Sequence, residues 1–399
     1  MKKALPLVSL GALYALFLSL AFAAGYYTRA ITPETRSAAR PLPLPGLSAP
    51  SYALLDEARR VLEAHSINPL PDDKTLEYGA IRGLVGALGD QYTVFVEPQA
   101  HELETQSLQG EYGGIGVGIS QNQTGEIVLS PFPDSPALRA GLVEGDILLA
   151  VDSALTAAPT TIDEVTALIR GLVGTPVEIR VRHPDGEEFT ATIIRQNIPL
   201  PTTTWKIIDG QPSIGLIAVN LFSDKTPGEV RRAIADLQVQ GTTRYILDLR
   251  NNGGGILTSA VEVASQFLEG GVIMYETQRN APEKVYTASE SSGALLAAAP
   301  LAVLVNHNTA SGAEIVAGAL LDRGRAPLIG QTTYGKGSVQ LVFDLSDGSS
   351  LHVTSYLWYT PGRRALDKVG LAPTIAVEPA PDGSDAELTR AVQYLVSGQ

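Results

Sequence analysis

The sequence contains no cysteine. That removes disulfides, thiolate metal sites and a cysteine nucleophile together, and makes the fold indifferent to the redox state of its compartment. Histidine is also scarce, with five in 399 residues, which argues against a histidine-rich metal site. Basic charge is in deficit. The formal net charge of −13 argues against a nucleic-acid partner, because such binders present a basic face. Acidity of this kind otherwise serves solubility. There is no internal repeat at a fixed period.

Only one long apolar run is present. Lys2 and Lys3 precede an uncharged stretch from Ala4 to Thr28, which ends at Arg29. About 20 apolar residues span a bilayer as a helix. Residues 1–30 therefore read as a transmembrane anchor, and the lysines place the remainder on the extracytoplasmic side of the cell membrane. Ala21-Phe22-Ala23 also fits a signal-peptide cleavage site, in which case the protein is secreted or periplasmic. Residues 31–50 (with RPLPLPGLSAP) read as a semi-extended stalk.

The rest falls into three stretches. Residues 51–107 carry apolar positions at helical spacing and read as a small helical region. Residues 108–196 alternate short strands with two short helices, and Asp185-Gly186 marks a hairpin turn. Residues 197–399 alternate helices with apolar runs such as YILDLR and LAVLVN, which have the character of buried strands. The whole reads as a multidomain α/β (α+β) chain with a central mixed sheet in its C-terminal half.

Several residues combine a bland reading with a chemical one. Ser311, three residues before Glu314, is a capping box at the start of SGAEIVAGALLDRG. A serine at a helix N-terminus after a buried strand is also well placed for nucleophilic attack, with the Gly312 N–H available to an oxyanion. Lys336 lies between two glycines, as solvated loop lysines often do. If buried without a carboxylate partner, it would lose its proton readily and serve as the base of a Ser–Lys pair. The arm RNNGGG, with Gly253 and Gly254, reads as a strand-to-helix turn or as a source of exposed N–H groups. Gly113, Gly114, Ile115, Gly116 and Val117, entering a strand, suit capture of a peptide C-terminal carboxylate; their spacing is wrong for a dinucleotide fingerprint. Gly330, Gly335 and Lys336 approach a phosphate-binding loop, but Gly337 stands where Ser or Thr is required. His307 and Asp322 keep a Ser-His-Asp triad open as an alternative.

Together these motifs resemble the carboxyl-terminal processing peptidases, or tail-specific proteases, over residues 51–399. EYGGIGVGI and SPALRAGLVEGDILLAVD resemble the PDZ domain of that family. LDLRNNGGGIL resembles its glycine-rich active-site segment, and NTASGAEIVAGALLDRGRAPLIGQTTYGKGSVQ its nucleophile-to-lysine block. The resemblance implies a membrane-tethered serine endopeptidase that cleaves proteins near their C-termini after PDZ recognition of the tail. Ser311 would be nucleophile and Lys336 general base, with Gln340 supporting the lysine. Gly312 with Gly253 or Gly254 would form the oxyanion hole. No metal or cofactor is implied, and a homodimer is plausible. The stretch N-T-A-S-G-A-E lacks the flanking serines common in the family, and Thr374 follows Pro373 where Asp is common. A non-catalytic PDZ scaffold for peptide tails is the alternative.

Overall fold

The computed structural model describes residues 52–122, 124–155, 161–288, 295–380 and 383–398. The expected anchor and stalk lie outside the described residues. Among the described residues no helix is long and apolar enough to cross a membrane. The chain divides into two compact units, Met1–Ala80 and Ile81–Gln399.

In the first unit, helix α1 (Ala53–His65) carries Arg59, which pairs with Glu63 at 2.8 Å and with Asp73 at 2.5 Å. Helix α2 (Asp73–Gly86) starts behind Asp72, whose carboxylate accepts the Thr75 N–H at 2.7 Å. That bond satisfies one of the free donors of the first turn.

The second unit continues with strand β1 (Val94–Val96) and helix α3 (Pro98–Leu108). Pro98 suits the first helical turn, where no N–H is needed. Strand β2 (Glu111–Gly114) then leads into a compact antiparallel module. Its strands are β3 (Val117–Gln121), β4 (Ile127–Pro131), β5 (Asp146–Val151), β6 (Ala154–Leu155), β7 (Pro176–Arg182) and β8 (Glu188–Ile194). The sheet order is β3-β4-β5-β7-β8, with β6 on β5. Short helix α4 (Pro136–Arg139) and helix α5 (Ile162–Ile169) cover it. A full capping box between Thr161 and Glu164 starts α5. Val177, Ile179 and Val181 point from alternate positions of β7 into the core, beside Val165 and Ile169 of α5. Asp185-Gly186 forms the expected β7–β8 turn, with Gly186 at φ 94°. Strand β9 (Gln196–Pro199) leaves the module by pairing with β2.

The remaining chain builds the larger core. Strands β10 (Thr203–Ile208) and β11 (Gln211–Val219) form an antiparallel pair. Then follow helix α6 (Thr226–Val239), β12 (Arg244–Asp248), helix α7 (Leu257–Ser265), β13 (Val272–Thr277), β14 (Lys284–Thr287), β15 (Leu301–Val305), helix α8 (Gly312–Asp322) and β16 (Leu328–Gly330). Strands β17 (Ser338–Asp344), β18 (Ser350–Tyr359) and β19 (Ile375–Ala376) and helix α9 (Ala386–Ser397) close the chain. The central sheet runs β10-β11-β12-β15-β16-β19, parallel from β11 onward, so it is mixed as expected. Its side chains alternate between two clusters. Tyr245, Leu247, Val303 and Val305 join residues of α6, α7 and α8, whereas Ile246, Ala302 and Leu304 join Ala391 and Leu395 of α9. A strand buried on both faces needs apolar residues at successive positions, which is why YIL and LAVLV read as uninterrupted runs. A second, antiparallel sheet orders β1-β18-β13-β14, with β17 on β18.

Candidate active site

Three loops rise from the carboxyl ends of three neighbouring parallel strands, the usual place for a ligand site in an open α/β sheet. The loop after β12 holds the glycine arm, the loop after β15 holds Ser311, and the loop after β16 holds Lys336.

Ser311 has φ 53° and ψ −116°, unlike the extended backbone of an ordinary N-cap. Such a conformation costs energy in a non-glycine residue and persists only where its surroundings impose it. The main constraint is Glu314, which is fully buried. Its Oε2 accepts the N–H groups of Ser311 and Lys336, both at 2.9 Å. Its Oε1 accepts the Gly335 N–H at 2.7 Å and the Thr333 hydroxyl at 2.5 Å. One carboxylate thus ties the start of α8 to the lysine turn. The expected glutamate half of the capping box is present, and it reaches much further than the helix it caps.

The glycines around Lys336 are sterically required. A Cβ at Gly335 (φ 88°) would lie 2.7 Å from the Gly370 nitrogen, and one at Gly337 would lie 2.6 Å from the Asp367 nitrogen. The turn is further held by the Lys336 carbonyl, which accepts from Trp358 Nε1 at 2.9 Å. The Lys336 ammonium donates to Gln340 Oε1 at 2.8 Å and lies 5.2 Å from the centre of the Tyr92 ring. Gln340 Nε2 in turn donates to the Tyr92 carbonyl. The lysine forms no ion pair among the described residues. Burial pushes its pKa below the ordinary lysine value of 10.5, and the charge of Glu104 only partly opposes this.

The glycine arm packs directly on the serine. A Cβ at Gly254 (φ 105°) would lie 2.8 Å from Ser311 Cβ. The Gly254 N–H donates to Asn252 Oδ1 at 2.8 Å, so it is already engaged. Asn252 is buried, and its Nδ2 donates to the Val219 carbonyl at 2.8 Å. The N–H groups of Gly253 and Gly312 have no acceptor among the described residues. Below the arm, Arg250 bonds Asp248, Asp385 and Glu387 and so fixes α9 to the end of β12. Burial alone would lower its pKa, but the carboxylates outweigh that and raise it.

Gly253, Gly254, Ser311, Gly312, Lys336 and Gln340 all line one cleft of about 510 Å³. Leu108, Leu221, Ile256, Leu257, Ile315 and Val342 give it apolar walls. His307 and Asp322 do not line it. His307 Nδ1 lies 3.1 Å from Gln331 Oε1, while Asp322 pairs with Arg364 at 3.0 Å. A phosphate loop is also ruled out, since strand β17 follows Lys336 where a helix would be required.

The second expected site divides. Ile115, Gly116 and Val117 line a groove of about 180 Å³ between edge strand β3 and helix α5, with Ile119, Ile162 and Thr166. The N–H groups of Ile115 and Gly116 have no acceptor among the described residues. Gly113 and Gly114 instead belong to β2, opposite Asn197 and Gln196, and the Gly113 N–H is taken by Gln106 Oε1 at 3.1 Å. Three residues of the site escaped sequence reasoning. Glu314 carried a signal as a capping partner but not as a clamp. Tyr92 and Asn252 carried none, because the Tyr92 carbonyl meets Gln340 far along the chain and the Asn252 side chain is aimed by the Val219 carbonyl of β11.

Residues 213–377 match peptidase family S41, and residues 127–183 match a PDZ domain. Fold and site together therefore define a serine-type peptidase with a PDZ module. A carboxyl-terminal-processing protease of Picosynechococcus sp. is 36% identical over 77% of this chain and 74% of its own length. Carboxy-terminal processing protease CtpA of Bacillus subtilis is 31% identical over 81% of this chain and 68% of its own. A solved structure from Bacteroides fragilis assigned to the S41 proteases is 18% identical over 86% of this chain and 97% of that one, with a TM-score of 0.51; at that identity it speaks for the fold alone. The chain belongs to the carboxyl-terminal-processing proteases of peptidase family S41.

Proposed function

We propose that the chain cleaves protein tails with a Ser311–Lys336 dyad. One observation carries this reading. Lys336 is depleted of carboxylate partners, has its pKa lowered by burial, and shares a cleft and a carboxylate clamp with Ser311. Neutral Lys336 takes the Ser311 Oγ proton as Oγ bonds to the scissile carbonyl carbon. The resulting oxyanion is held by the Gly312 and Gly253 N–H groups; Gly254 contributes close packing, because its own N–H is used by Asn252. The amide C–N bond then breaks, and the Lys336 ammonium returns its proton to the leaving amine. A water deprotonated by Lys336 releases the acyl group and restores Ser311. Gln340 orients the lysine nitrogen through its Oε1. The apolar walls of the cleft suit an apolar side chain next to the scissile bond. In the PDZ module, the Ile115 and Gly116 N–H groups receive the terminal carboxylate while the tail adds to edge strand β3.

The test is cleavage of casein, with products mapped by mass spectrometry. Ser311→Ala and Lys336→Ala are each expected to abolish it. Full activity in the lysine variant would refute the dyad. Tail binding by a wild type that cleaves nothing would leave only a PDZ scaffold.

We further infer that residues 1–30 anchor the enzyme with its catalytic part outside the cytoplasm, on the strength of Lys2, Lys3 and the apolar run that follows. The full chain should stay in the membrane pellet through alkaline carbonate extraction. Recovery in the supernatant would favour a cleaved signal.

A further inference from the structure

We propose that His101, Glu104 and His352 form a binding site for one divalent cation of the zinc class. Helix α3 places His101 and Glu104 one turn apart on the same face, and β18 brings His352 against them. One donor atom of each residue lies within 4.8 Å of the other two. Glu104 Oε2 and His352 Nε2 are 3.5 Å apart, close to the spacing of two ligands on a tetrahedral ion with bonds of about 2.0–2.2 Å.

The histidines are prepared as ligands. His101 Nε2 lies 3.0 Å from Asp344 Oδ1. A carboxylate accepts, so Nε2 carries the proton, and the lone pair of the neutral ring falls on Nδ1. That Nδ1 is buried without a hydrogen-bond partner. A ring nitrogen of the other histidine, His352 Nε2, is likewise buried without a hydrogen-bond partner, and faces only the Glu104 carboxylate. Buried polar atoms are normally satisfied, and two orphaned imidazole nitrogens beside one carboxylate are costly unless something binds them. A carboxylate behind a ligating histidine is the arrangement that fixes its tautomer at metal centres.

The donor set selects the ion. Two imidazole nitrogens and one carboxylate oxygen suit zinc, cobalt or nickel, whereas magnesium and calcium need mostly oxygen. Glu104 and His352 also line the cleft, so a fourth coordination position opens toward it, and the half-exposed Glu104 side chain leaves an entry path. The ion is not one of the reacting groups; it pins α3 to the second sheet and offsets the Glu104 charge that opposes deprotonation of Lys336. The inference stands whether or not the peptidase reading does.

The experiment uses the full chain stripped with a chelator. Zinc is titrated in competition with a chromophoric chelator, and cobalt is followed by its visible absorption. One zinc per chain is expected, with a cobalt band that zinc displaces and a Tm that rises with zinc but not with magnesium. Glu104→Gln and His352→Gln should abolish the band. Asp344→Asn, at an exposed position, should weaken zinc binding by roughly 10–100-fold and leave the Tm of the metal-free protein unchanged. Wild-type zinc affinity in Glu104→Gln and Asp344→Asn would overturn the proposal, as would a wild type that binds no zinc.

Discussion

At the scale of single residues, the lysine has the most exposed consequence. A base works only when neutral, and burial lowers the pKa of Lys336. Activity should therefore rise with pH, following loss of the Lys336 proton, and level off below the pH at which an ordinary lysine titrates. The pH profile of kcat/KM for a short peptide checks this; a profile with no rise anywhere below the pH at which an ordinary lysine titrates would remove Lys336 from the base role. Lys336→Arg should be inactive across the range, because guanidinium stays protonated. Gly254 gives a second test. A methyl group there would collide with Ser311 Cβ at 2.8 Å and displace the nucleophile, so Gly254→Ala should lower kcat by about 10²-fold while casein binding persists. Ser311, Lys336 and the glycines were legible as positions in a motif. The positive φ of Ser311 was not, since it is imposed by the clamp that joins Ser311 to the distant lysine turn, and neither was the engaged N–H of Gly254, since Asn252 in the same arm takes it only once the arm is folded.

At the scale of elements, Glu314 makes the start of α8 and the lysine turn a single piece. Glu314→Gln keeps the shape but replaces one acceptor oxygen with an NH₂ group. Buried donors are then left unmade, at about 1–3 kcal/mol each. Both Tm and kcat should fall, whereas Ser311→Ala should lower kcat with little change in Tm. Thermal unfolding and peptide hydrolysis on the two variants separate these outcomes. The apolar strands β12 and β15 were readable because burial on both faces forces uninterrupted apolar runs. The antiparallel sheet of β1, β13, β14, β17 and β18 was not, because its strands are drawn from both ends of the second unit. For the same reason His101 and His352 gave no joint signal. Their meeting depends on β1 lying against β18, where Val94 faces His352.

At the scale of the whole molecule, the proposed function gives the groove between β3 and α5 and the cleft around Ser311 separable duties. Ile119→Asp places a charge in the groove and leaves the cleft untouched. It should weaken kcat/KM for a protein with a free apolar tail by an order of magnitude or more, with hydrolysis of a short peptide unchanged. Equal loss on both substrates would count against tail capture. That the second unit holds two separate hydrophobic clusters agrees with the switch in the sequence between short alternating strands and long apolar ones. The ribbon joining the parts was not, because Gly113 and Gly114 read as loop and fold as strand.

That ribbon also bears on how the protein was put together. The Leu200 N–H donates to the Gly110 carbonyl at 3.0 Å, so the PDZ module leaves the core where it enters. Segments whose ends nearly touch are the ones that chains accept and release most easily. A chain in which Gly110 is rejoined to Leu200 by a short linker should still fold its core and hydrolyse short peptides, and, if the proposed tail capture holds, should lose its preference for free apolar tails.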